Sequence, residues 1–132
     1  MINTMATLRA YLATQTALTT VTGDRLWAAA TAPPVGYKPV QGLGIAFNAR
    51  GGSAGYNSVI ITESCQFKCY AATALAALDL SGLLADVLHD KHGGLIRHAE
   101  LETTPYVLQE PDTGWYFALT FFSIMYRSQL GS

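Results

Sequence analysis

Trp115 to Arg127, WYFALTFFSIMYR, is the stretch from which the fold can be worked outward. It has no glycine or proline and is rich in aromatic and other strand-forming residues, so it predicts a strand. Side chains alternate across a strand. One face then carries Trp115, Phe117, Leu119, Phe121 and Met125, and the other Tyr116, Ala118, Phe122, Ile124 and Tyr126. A strand that is apolar on both sides predicts cover on both sides. A layer of helices covers one side of a sheet, and the other side needs a second layer or another subunit. Just upstream, Glu110-Pro-Asp-Thr-Gly114 is a strong turn signal. Leu95 to Leu108 before it predicts a partner strand, and Pro105 places that strand at an edge or a bulge. A long antiparallel hairpin therefore closes the chain.

The next strand upstream is amphipathic. Val59, Ile61, Cys65, Phe67 and Cys69 point one way, and Thr62, Ser64, Gln66 and Lys68 the other. Glu63 breaks the apolar row and predicts a place near a bulge or a rim. Leu43, Ile45 and Phe47 alternate with small or polar residues as in a half-buried strand. Between these two strands Arg50 to Asn57, RGGSAGYN, predicts a flexible hairpin loop. Arg25 to Ala30 predicts a short strand, and Pro33, Pro34, Gly36 and Pro39 make Thr31 to Gly42 a loop.

Asn3 or Thr4 can cap a first helix carrying Met5, Leu8, Tyr11 and Leu12 at helical spacing. Gln15 to Val21 predicts a second short turn of helix with Leu18 and Val21 apolar, stopped at Gly23. Ala71 to Lys91 predicts a longer helix ended by Gly93-Gly94. Its apolar phase shifts at Ser81-Gly82. Leu75 and Leu78 share one face, and Leu80, Leu84, Val87 and Leu88 another, so the helix either kinks or is covered on two sides. The order implies an α+β fold, a single domain over 1–132. A mainly antiparallel sheet of about five strands packs on an N-terminal helix and a central helix.

Composition narrows the function. Eight basic and nine acidic residues in 132 give a net charge of −1. The basic residues are scattered, without the basic stripe and interleaved aromatics of a nucleic-acid binder. Charged residues make up only 13% of the chain, about half the usual share, and mean hydropathy is +0.22. Much of the surface must therefore be apolar or neutral, as on surfaces meant for partners. A membrane is the competing explanation. However, the uncharged stretch Thr113 to Tyr126 is shorter than the roughly 20 residues of a spanning helix. Residues 1–23 lack the pattern of a secretory signal. The expectation is an intracellular, soluble protein.

The residues that could carry chemistry do not form a recognisable site. Cys65 and Cys69 lie four apart on a strand, about 13 Å, too far for a disulfide or a shared metal. They predict two buried small side chains. His89 and His92 are spaced i, i+3 at a helix end, with His98 as a possible third ligand, but no spacing fixes that third position. Histidine is also favoured at a helix C-terminus by the dipole alone. Gly52-Ser53-Ala54-Gly55 lacks the strand-turn-helix context of a nucleophile elbow and the lysine of a phosphate loop. Glu100 and Glu102 predict a solvated strand face rather than an acid/base pair. The expectation is a non-enzymatic protein with no catalytic residues, no metal and no cofactor.

Three segments together resemble one family. They are Thr16 to Trp27, TALTTVTGDRLW, the strand-into-helix run Cys65 to Leu78, CQFKCYAATALAAL, and Glu110 to Tyr126, EPDTGWYFALTFFSIMY. In order and spacing they resemble the tail terminator, or tail-completion, proteins of long-tailed bacteriophages with the lambda-type tail terminator fold. The likeness covers nearly the whole chain, and the Leu80-Ser81-Gly82 region departs from the smoother helix of the family pattern. The resemblance implies a structural virion protein made in the host cytoplasm and placed at the neck. There it forms a homohexameric ring on the head-proximal end of the tail tube. Such a ring ends tube polymerisation, offers a joining surface to the head connector or stopper, and lets DNA pass through its lumen without specific contacts. No membrane is involved and no catalytic residues carry over. The alternative is another head–tail connector component, such as a head stopper or a minor capsid protein at the portal side.

A closed ring needs heterologous interfaces, which agrees with low charge and a last strand apolar on both faces. The interface residues expected from position and type are Trp27, Arg50, Gly51, Gly52, Tyr56, Trp115 and Tyr126. Aromatic and arginine side chains dominate binding hot spots.

Overall fold

The computed structural model describes residues 3–54, 60–89 and 95–127. Three helices, α1 (Thr4–Ala13), α2 (Thr16–Thr22) and α3 (Ala74–Leu88), lie with five strands. The strands are β1 (Leu26–Ala28), β2 (Gly44–Ala54), β3 (Ile60–Ala71), β4 (Ile96–Gln109) and β5 (Tyr116–Arg127). They form one mixed sheet in the order β1-β2-β3-β5-β4. Only β1 and β2 pair parallel, and the other neighbours are antiparallel. The fold is α+β, with the expected N-terminal and central helices and C-terminal hairpin.

Local chemistry sets the helix ends. The Asn3 side chain accepts from Ala6 N at 3.0 Å, which satisfies a donor that the first turn of α1 leaves open. Thr73 does the same for α3, accepting from Ala76 N at 3.2 Å. α3 therefore starts at Ala74, later than the sequence suggested, because Tyr70 and Ala71 are still paired in β3 with Phe117 and Tyr116. Its expected stop at Gly93-Gly94 lies outside the described residues, and the helix ends at Leu88. α2 buries Leu18 and Thr22 and leaves Val21 exposed. Thr22 can be buried because its Oγ1 donates back to Leu18 O at 3.1 Å.

α3 corrects the expectation of a kink or of two-sided cover. The helix runs unbroken, and Ala77, Leu80, Ser81, Leu84 and Leu88 face the core. Ser81 is accommodated because its hydroxyl donates to Leu78 O at 2.8 Å. The second apolar phase stays in solvent, with Leu75 75% exposed and Leu78 39%.

The helices cover one face of the sheet. β3 and β4 both run antiparallel to β5, so they are parallel to each other. α3 crosses between them and β5 is inserted in the gap. Ala118, Thr120, Phe122, Ile124 and Tyr126 of β5 are buried, as are Cys65, Phe67 and Cys69 of β3. Phe67 stacks on Phe47 with ring centroids 5.5 Å apart and meets Phe122 edge-on at 5.5 Å. One aromatic seam thus joins β2, β3 and β5 under Leu8, Leu12, Leu80 and Leu84. The Tyr11 hydroxyl donates to Val87 O and ties α1 to α3. β4 is an edge strand, as Pro105 required, and its pairing slips between Thr103 and Tyr106.

Over the opposite face the cover is partial. The connection from β1 to β2 returns across one end of the sheet and lays Tyr37 into a cluster with Ala46, Tyr70 and Phe117. Trp27 and Trp115 pack beside Tyr37 at centroid distances of 4.8 and 5.8 Å. Gly44 makes room for this cluster, since a Cβ there would lie 2.4 Å from the Trp27 ring. Two-sided cover of β5 is therefore achieved at Phe117 and not along the rest of its odd face. Leu119 and Phe121 are half-buried and Met125 is exposed.

The segment Arg50 to Asn57 is also corrected. Arg50 to Ala54 belongs to β2, while residues 55–57 lie outside the described residues. Ala49 pairs with Cys65 and Gly51 with Ser64, so Arg50 is the extra residue of a β-bulge. Gly51 takes φ 133°. Gly52 approaches β3 so closely that a Cβ would lie 2.0 Å from Thr62 O. The glycines that read as loop composition serve a bulged strand.

Replacing Phe67, which is fully buried, by Ala removes the middle ring of the seam. A loss of about 3–5 kcal/mol is expected, read as a lower urea midpoint at unchanged slope. A loss below about 1 kcal/mol would show that the seam does not hold the layers together.

Candidate functional site

Four strands build a polar cluster on the uncovered face. The Arg50 guanidinium lies 4.0 Å above the centroid of the Phe121 ring of β5. Its Nη2 donates to Ser64 Oγ of β3 at 2.9 Å. Ser64 Oγ in turn donates to Glu102 Oε1 of β4 at 2.7 Å, and Arg50 Nη2 stands 3.9 Å from Glu102 Oε2. The bulge in β2 brings Arg50 to this place. An exposed cation–π contact of this kind contributes about 0.5–1 kcal/mol. The half-exposed ion pair adds at most about 1 kcal/mol. The cluster thus holds Arg50 in position on an apolar surface more than it stabilises the fold. Around it lie Leu119, Met125 and Tyr106, with Tyr106 48% and Met125 36% exposed.

Lys68 stands between this cluster and the Tyr37 cluster. Its Nζ donates to Thr31 O at 2.9 Å and lies 5.3 Å from the Phe117 ring. At the end of the sheet where β3 leaves and β5 enters, Lys38, Pro39, Val40, Ala72, Gly114 and Trp115 line a shallow cleft of about 240 Å³.

The residues expected at an interface separate into three groups. Arg50, Gly51 and Gly52 are exposed on the bulge. Trp27 and Trp115 are half-buried around Tyr37, nearer the other end of the sheet. Tyr126 is fully buried, because it faces the helices alongside Ile124 and Phe122. It is a core residue of this chain and leaves the set of surface candidates. Tyr56 lies outside the described residues. Phe121, Ser64, Glu102 and Lys68 complete the surface beside the buried Tyr37, and of these the sequence singles out only Glu102, as part of a solvated strand face. The alternation of β5 placed Phe121 correctly on the odd face. Nothing local indicated that Arg50 would reach Ser64 and Glu102.

The described histidines and cysteines have partners or burial of their own. His89 Nδ1 accepts from Leu101 N at 3.2 Å, His98 Nε2 is 3.8 Å from Glu100 Oε2, and His92 is outside the described residues. Among the described residues no three His, Cys, Asp or Glu side chains converge on one point. No described helix is long and apolar enough to cross a membrane. Cys65 and Cys69 are free and fully buried. Glu63 turns toward α1, where its Oε2 accepts from Thr4 Oγ1 at 3.0 Å. Glu63 breaks the apolar row beside the β2 bulge, where it pairs with Gly52, and its carboxylate faces the helices. Its Oε1 and the Tyr126 hydroxyl are buried and make no hydrogen bond of good geometry among the described residues.

Burial, with the nearby Glu63, pushes the Cys65 thiol from 9.0 up to about 12. Burial raises Cys69 as well. The Tyr126 phenol is raised by burial and then by Cys65 and Glu63, and Tyr70 by burial and then by Glu110. The folded chain therefore keeps these protons to higher pH than the unfolded chain. Stability is full below the unfolded thiol value and falls as pH rises from about 9 toward 12. The unfolding free energy read from urea titrations is expected to drop between pH 8 and pH 10, by up to about 1.4 kcal/mol per pH unit for each thiol. A variant with both Cys65→Ala and Cys69→Ala should lose less over that interval. An equal drop in both proteins would assign the alkaline loss to other groups.

No protein-family model and no curated protein matches this chain.

Proposed function

We propose that this protein is a non-enzymatic structural subunit, built to be completed by further copies of itself. In the role its sequence resembles, it is the tail terminator of a long-tailed bacteriophage. The observation that supports self-assembly is the half-covered sheet. Phe121, Met125 and Tyr106 stand on the part of the face opposite the helices which the β1–β2 connection leaves open among the described residues, with Leu119 at the margin of the Tyr37 cluster. Exposed apolar patches of this sort mark interaction surfaces. The low charge of the chain and the fixed Arg50–Phe121 contact agree with that use.

In the proposed assembly six copies close into a ring on the head-proximal end of the tail tube. The ring stops tube growth, receives the head connector or stopper, and leaves a lumen for DNA. A near-neutral chain with scattered basic residues suits a wall past which DNA moves without tight phosphate contacts. Arg50 and the bulge are the proposed contact with the tube or the connector.

Light scattering of the purified 14.2 kDa chain should give a hexamer, in free solution or once tail tubes are added. Electron microscopy of virions should place it at the neck. A protein that stays monomeric with tubes present would overturn the proposal, and attachment to the portal of tail-less heads would favour a connector component instead. Arg50→Glu removes the cation from Phe121 and sets a second carboxylate face to face with that of Glu102. Its particles should join heads to tails at least about tenfold less efficiently, the effect of about 1.4 kcal/mol. Normal joining would remove Arg50 from the contact.

A further inference from the structure

We draw no further inference here: the strongest candidate, the open apolar sheet face around Phe121 and Met125, carries charges of both signs, Glu100 and Glu102 as well as Lys68 and Arg127, and nothing in the structure shows what covers it.

Discussion

The aromatic seam Phe47–Phe67–Phe122 is the contact on which the rest of the molecule depends. Its rings lie on β2, β3 and β5 and make the floor on which the leucines of α1 and α3 sit. Aromatic pairs at this spacing contribute about 0.5–1.5 kcal/mol beyond the burial of their area. They also fix which side of each strand faces the helices. Once Phe122 points inward, Ile124 and Tyr126 must follow, and Phe121, Ser123 and Met125 are turned outward.

That choice creates the open sheet face. Three helices suffice to cover one side of a five-stranded sheet. The returning β1–β2 connection shields only the end of the other side, with Tyr37 under Trp27 and Trp115. What is left is an apolar field on which the bulge of β2 fixes one cation, Arg50, over one ring, Phe121. Across the molecule α3 has a comparable imbalance, because a continuous helix presents both apolar phases of its sequence and the core takes only one. Apolar surface on opposite sides of the body, with little charge, is what the proposed self-assembly draws on.

Several features were legible in the residues themselves. Alternation identified β2, β3 and β5. Asn3 or Thr4 marked a helix start, and Pro105 marked β4 as an edge or bulged strand. The pair Cys65 and Cys69, two apart in the alternation, read as buried. Others were misjudged for physical reasons. Gly51 and Gly52 looked like loop residues because composition does not distinguish a hairpin tip from a bulge that needs a positive φ and a close backbone approach. Tyr126 looked like a contact residue because a strand apolar on both faces does not say which face meets the helices.

The amino-acid sequence alone therefore determined the α+β class, the closing hairpin, the edge-or-bulge character of β4 and the scarcity of charge. These follow from local periodicity, turn chemistry and composition. Only the tertiary structure decided that β1 pairs parallel to β2, that β5 inserts between β3 and β4, and that Tyr37 caps one end of the sheet. It also decided that Arg50, Ser64 and Glu102 meet over Phe121. Each of these joins residues far apart in the chain, and which pairs form depends on how all the layers compete for the same apolar area, which no local pattern records.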